Sequence, residues 1–170
     1  MFRRILVPVD GSATSNRGLR MAIALARDQK AALELLHVVD ELLVTPMVDG
    51  GVYVSPQYVD DFAAALRTQG AKVLERAEAQ ARKAGIGYRA VLAETVGRPV
   101  AELIVAHAKR CRADLIVLGT HGRRGLARAV MGSDAEGVVR MSPVPVMLVR
   151  LGTATAARQR KASARHSTNS

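Results

Sequence analysis

Residues 119 to 133 carry the densest chemical signal in the chain: Gly119-Thr120-His121-Gly122-Arg123-Arg124-Gly125-Leu126-Ala127-Arg128-Ala129-Val130-Met131-Gly132-Ser133. Glycines let the backbone approach a ligand closely and adopt positive φ. Arg123, Arg124 and Arg128 supply charge suited to a phosphate. A helix opening near Ser133 would present unpaired N–H groups and a positive dipole end to the same anion. The spacing is that of neither common phosphate loop. The Gly-Lys-Ser/Thr of a P-loop is missing, and the turn after the first apolar run reads Asp10-Gly11-Ser12 instead of G-x-G-x-x-G. Taken alone, these residues fit a phosphate site or a glycine-rich connection ending in an ordinary N-cap at Ser133.

Other reactive groups are few. His121 lies in the same stretch and either contacts phosphate and senses pH, or is simply solvated. His37 falls in a predicted strand, His107 in a predicted helix and His166 near the C-terminus. Cys111 is the only cysteine and stands between Arg110 and Arg112. Neighbouring cations could lower its pKa; the plainer expectation is a small, partly buried residue near a helix end. No spacing of His, Cys or acids suggests a structural zinc site. No Ser/His/Asp or Cys/His arrangement emerges, so no catalytic residue is nominated.

The elements that must position the glycine-rich stretch follow from periodicity. Ile5–Val9 is a short apolar run, read as a buried parallel strand. A helix from about Thr14 to Arg27 places Leu19, Ala22, Ile23 and Ala26 on one face. Ala32–Val39 is the second strand. Residues 40–57, with Pro46, Gly50, Gly51 and Pro56, show no period and read as a long connection. Tyr58 to Ala84 is helical, with Gly85 as its stop. Tyr88–Ala93 is the third strand, and Pro99 opens a helix running to about Arg110. Leu115–Leu118 is the fourth strand, ended by Gly119. The last helix runs from Ser133 to Met141, with Ser133 and Glu136 spaced as a capping box. Val144–Val149 is the fifth strand.

Helices alternating with short apolar strands predict an α/β fold: an open, mostly parallel five-stranded sheet covered on both faces. Ligands in such sheets sit beyond the carboxyl ends of the strands, where strand order reverses. Asp10-Gly11-Ser12 and the 119–133 stretch would face one another if strands one and four are neighbours.

Length and composition bound the partners. A chain of 170 residues fits one domain, residues 1–151, followed by a short tail. The tail, 152–170, is rich in small, polar and basic residues, lacks apolar periodicity and is expected to be disordered. Of the net charge of +10, its basic residues Arg158, Arg160, Lys161 and Arg165 supply +4, leaving +6 for the domain. That balance favours anionic partners in general. Aromatics make up 3% and tryptophan is absent, so stacking platforms for single-stranded nucleic acid are scarce. No helix-turn-helix or zinc motif supports nucleic-acid binding. No apolar run reaches the roughly 18 residues of a membrane span. The basic opening Met1-Phe2-Arg3-Arg4 precedes too short an apolar stretch for a signal peptide. The expected location is cytoplasmic.

The stretch 119–133 matches G-x2-G-x9-G-Ser/Thr, with Gly119, Gly122, Gly132 and Ser133 at the fixed positions. With the opening Ile5-Leu6-Val7-Pro8-Val9-Asp10-Gly11-Ser12 and the closing Pro143-Val144-Pro145-Val146-Met147-Leu148-Val149-Arg150, the chain resembles the universal stress protein family over roughly residues 1–150. The resemblance implies a sheet of order 3-2-1-4-5, an adenine nucleotide alpha hydrolase-like architecture, and an adenine nucleotide, ATP above all, as ligand. It implies that Asp10 contacts ribose or a phosphate-bound Mg²⁺ or Mn²⁺; its alternative role is to cap the next turn. Val38 would line the adenine pocket beside Pro8 and Val9. Gly119, Thr120, Gly122 and Arg123 would meet ribose and phosphates, and Gly132 and Ser133 would hold phosphates from the helix N-terminus. Asp134 departs from the apolar residue common at its position and would repel a triphosphate, which keeps AMP and ADP open. A homodimer through the fifth strand is implied. The function expected is a nucleotide-dependent switch in stress response. A nucleotide-independent dimeric interaction protein and a slow ATPase working through Asp10 are the alternatives.

Overall fold

The computed structural model describes residues 1–40, 55–95, 97–120 and 131–150. Most of the connection expected over 40–57 and the whole 152–170 tail lie outside the described residues, as do His121, Gly122, Arg123, Arg124 and Arg128. Among the described residues nine elements alternate: β1 (Arg4–Pro8), α1 (Ala13–Gln29), β2 (Ala32–Val39), α2 (Pro56–Lys83), β3 (Tyr88–Glu94), α3 (Val100–Cys111), β4 (Leu115–Gly119), α4 (Ser133–Met141) and β5 (Val146–Val149).

All strand pairings are parallel and the order is β3-β2-β1-β4-β5, as expected. Alternation along each strand splits the apolar residues between two faces. Ile5, Val7, Val9, Leu33 and Leu35 pack with Leu19, Ala22 and Ala26 of α1 and with Val73, Leu74 and Ala77 of α2. Leu6, Leu36, Ile116 and Leu118 pack with Ala101, Ile104 and Ala108 of α3 and with Ala135 and Val138 of α4. The result is three layers, with β1 at the centre of the sheet.

Helix ends explain where the sequence reading shifts. α1 starts at Ala13 because the Ser12 hydroxyl accepts from the Ser15 N–H (3.1 Å). α2 starts at Pro56, behind the Ser55 cap. Pro99 is the N-cap of α3, one residue ahead of the first helical position. The predicted capping box does not form: Gly132 is the N-cap of α4, Ser133 is already helical, and no side chain caps the turn. β5 begins at Val146, two residues later than expected. Pro145 has no N–H to donate to a ladder, although its carbonyl accepts from Ile116 (3.0 Å).

Candidate functional site

The chain leaves β1 toward β2 and β3, then returns to lay β4 and β5 on the other side. Strand order therefore reverses between β1 and β4, and a crevice opens beyond their carboxyl ends. Three segments meet there.

The first is the turn after β1. The Asp10 carboxylate accepts from the Ser12 N–H (2.9 Å), an Asx turn closed on itself. Gly11 takes the left-handed conformation that the turn requires (φ 81°). The Asp10 N–H donates to Ser15 Oγ (3.1 Å). Asp10 thus has the capping role considered for it from sequence. The backbone before it is anchored to β2. Val9 N–H donates to Leu36 O (2.8 Å), and buried His37 donates through Nδ1 to Val9 O (2.6 Å).

The second is the end of β2. Val38 is half-buried and packs on the α3/α4 side, whereas the Val9 side chain is buried on the α1/α2 side. The two valines point to opposite faces. Val9 therefore offers the crevice backbone, and Val38 its side chain. Pro8 is half-buried at the end of β1.

The third is the end of β4. A Cβ on Gly119 would lie 2.8 Å from the Thr14 carbonyl carbon and 2.9 Å from the Ser15 nitrogen. The glycine is thus required by the seating of α1 on β4. Thr120 is buried; its N–H donates to Val149 O (3.0 Å), and its carbonyl accepts from the Gly132 N–H (2.9 Å). That last bond ties the start of α4 to the end of β4. Ser133 and Asp134 are exposed in the first helical turn, with Glu136 following. The structure therefore brings Pro8, Val9, Asp10, Val38, Gly119, Thr120, Gly132, Ser133 and Asp134 to one edge of the sheet. Gly122 and Arg123 lie outside the described residues.

A second cluster, not anticipated from sequence, lies at the opposite edge. Glu34 of β2 is buried under α3. His107 Nε2 donates to Glu34 Oε1 (2.9 Å), and Arg110 Nη2 meets His107 Nδ1 (2.6 Å). Arginine only donates, so Nδ1 accepts and the imidazole proton sits on Nε2. The Cys111 thiol donates to Ala108 O (3.6 Å), and Arg4 hydrogen-bonds the Cys111 carbonyl. Burial raises the thiol pKa above its ordinary value, with the Glu34 charge acting the same way. Backbone hydrogen bonding and Arg4 pull it down less. The lowering considered for Arg110 and Arg112 is overturned, since burial outweighs nearby cations, and the plainer reading of Cys111 holds. The sequence did contain one signal: His107 and Cys111 are four apart on a helix, hence on one face.

An open parallel sheet of order 3-2-1-4-5, with the turn after β1 and the ends of β2 and β4 gathered at its switch point, belongs to the doubly wound α/β class that takes ligands at that crevice. The sequence model of the universal stress protein family matches residues 1–150, and the chain belongs to that family. It is 37% identical over 151 residues to universal stress protein YxiE of Bacillus subtilis, covering 88% of this chain and 100% of that one. The solved structure of hypothetical protein MJ0577 from Methanocaldococcus jannaschii superposes with a TM-score of 0.75 at 24% identity, covering 90% of this chain and 99% of that one. A family member from Burkholderia pseudomallei gives 0.64 at 29% identity, covering 86% and 94%. Other family structures of the same fold were solved with cAMP, with AMP (from Arabidopsis thaliana) and with dAMP (from Archaeoglobus fulgidus). Among the described residues, no helix is long and apolar enough to cross a membrane.

Proposed function

We propose that this protein binds an adenine nucleotide, ATP foremost, across the switch point, and acts in a stress response as a regulator switched by occupancy. One observation carries the reading: Gly132 is the N-cap of α4 and is tied to Thr120. Its backbone (φ −64°, ψ 147°) is open to any residue, so its glycine is not needed for conformation. Serine or aspartate there would cap the helix better. A glycine at this point leaves room for a phosphate against the uncapped N–H groups. The adenine nucleotides found on relatives of the same fold support the same class of ligand.

In this reading Val38 and the Pro8-Val9 backbone flank the base, and Asp10 contacts ribose or phosphate-bound Mg²⁺. Gly119 and Thr120 border the sugar, Gly122 and Arg123 join from the loop, and Gly132 with Ser133 holds the phosphates. Asp134 sets how many phosphates are tolerated. β5 ends the sheet with Val146, Met147 and Leu148 half-buried in the single chain, and it is the proposed edge of a homodimer. The cytoplasm is the proposed compartment, supported by a single cysteine that can form no internal disulfide.

The test is to heat-denature purified protein and identify released nucleotide by mass spectrometry, then to follow Tm with added ATP and Mg²⁺. An adenine nucleotide should elute, or ATP should raise Tm. Gly132→Val should abolish both while keeping the far-UV circular dichroism spectrum. If nothing elutes and Tm does not move, the nucleotide reading fails and the nucleotide-independent interaction protein takes its place.

A further inference from the structure

The buried cluster between β2 and α3 lies at the amino-terminal edge of the sheet, away from the nucleotide crevice, and no step proposed above uses it. We propose that Glu34, His107 and Cys111 form a site for a divalent cation of zinc's class, with one position left to water. The three residues offer a carboxylate oxygen, an imidazole nitrogen and a sulfur, all buried and all within 4.8 Å of one another. Bonds of about 2.0–2.3 Å in a tetrahedron separate ligand atoms by roughly 3.3–3.8 Å. The widest pair must close by at most about 1 Å, while His107 Nε2 and Glu34 Oε1, now 2.9 Å apart, must open by about 0.4 Å to admit the ion. Thiolate and imidazole together select zinc-like ions over magnesium or calcium.

Charge argues the same way. A dication with one carboxylate, one thiolate and a neutral imidazole sums to zero, which an apolar interior accepts far better than a charged group. Access is short: the Arg89 side chain, 77% exposed, reaches to 4.0 Å from Glu34 Oε1, and Arg110 is also at the surface. Binding releases one proton, from the Cys111 thiol. The imidazole proton moves through solvent from Nε2 to Nδ1, because Nε2 becomes the ligand. Arg110 cannot stay on a protonated Nδ1, so it must swing into water. It acts as a latch that favours the metal-free form.

The test is titration of the reduced, metal-free full chain with Co²⁺ alone. The expected result is one-to-one binding, with a near-ultraviolet thiolate-to-cobalt charge-transfer band and visible tetrahedral bands that Zn²⁺ bleaches. Cys111→Ser should lose the charge-transfer band. Arg110→Ala should tighten Co²⁺ binding by roughly threefold to tenfold, the worth of one displaced hydrogen bond. As a second readout Zn²⁺ should raise Tm, and Glu34→Gln, which keeps the side-chain shape, should lose that rise. Absence of saturable binding, or a spectrum unchanged in Cys111→Ser, overturns the proposal and leaves the cluster a closed hydrogen-bond network. Circular dichroism of each variant separates these results from unfolding.

Discussion

Replacing Gly137 by alanine sets two known effects against each other. Gly137 lies inside α4, where glycine costs about 1 kcal/mol relative to alanine. Propensity alone therefore makes Gly137→Ala stabilising by that amount. Packing opposes it: the new Cβ would stand 2.7 Å from Ala101 Cβ of α3. Carbons in contact prefer about 3.5–4.0 Å, so α4 must retreat from α3 by roughly 1 Å. Ala101 is buried and its Cβ has no rotamer to change. Overpacking of this kind costs about 1–3 kcal/mol, and the net effect is a destabilisation of about 1 kcal/mol. Tm should fall by about 2–4 °C. A double-mutant cycle with Ala101→Gly isolates the clash, because that background removes the facing Cβ. The coupling energy should be about 1–3 kcal/mol, measured by urea unfolding at constant m-value. Stabilisation of Gly137→Ala by its full propensity gain, with a coupling below about 0.5 kcal/mol, would show that the Ala101 contact costs nothing. Since Gly132 is the N-cap of α4, the same variant should also weaken nucleotide binding.

Three further outcomes are expected. Gly119→Ala pushes a methyl into the Thr14–Ser15 backbone, which cannot move aside without shifting α1, so urea denaturation should register a loss of about 1–3 kcal/mol; an unchanged midpoint would show that α1 is not seated on β4. The Cys111 thiol should react with iodoacetamide far more slowly than free cysteine at pH 8, because its folded-state pKa is raised by burial. By linkage its stabilising contribution is whole below the ordinary thiol pKa and shrinks as pH climbs through that value toward the folded one; equal rates would refute this. Asp134→Asn should raise affinity for ATP over AMP by calorimetry without Mg²⁺, and an unchanged ratio would show that Asp134 faces away from the phosphates.

Elements with local causes were legible in the sequence. Ile5–Val9 and Leu115–Leu118 are uniformly apolar because both sheet faces are covered, and they appear as strands close to their predicted limits. Strand order was not readable from the strands themselves; it came with the family resemblance. Errors arose where a distant partner decides. Ser133 and Glu136 have capping-box spacing, yet the N-cap is Gly132, whose N–H donates to the Thr120 carbonyl, and Ser133 is already the first helical residue. The sequence set Val38 beside Pro8 and Val9 without saying how each takes part; the pleat sends the two valine side chains to opposite faces, so Val9 can contribute only backbone there. Glu34, inside Leu33-Glu34-Leu35-Leu36, was not singled out from sequence; only the fold reveals His107, 73 residues away in sequence, as its partner. Gly119 fits the glycine signature, but its close approach to α1 lies in the tertiary packing.

The central position of β1 bears on how the chain emerges from the ribosome. One edge of β1 is covered early, by β2, whose pairing starts at Ala32 opposite Arg4. The other waits for Leu115 and Ile116 of β4. At translation rates of about 5–20 residues per second, that edge stays open for on the order of ten seconds after β2 is made. An unpaired strand edge is a template for association with other nascent chains. Pairing across so long a stretch also slows folding. A chaperone acting on this chain should be needed most in the interval before β4 appears, and a ribosome stalled within α2 should yield the most aggregation-prone intermediate.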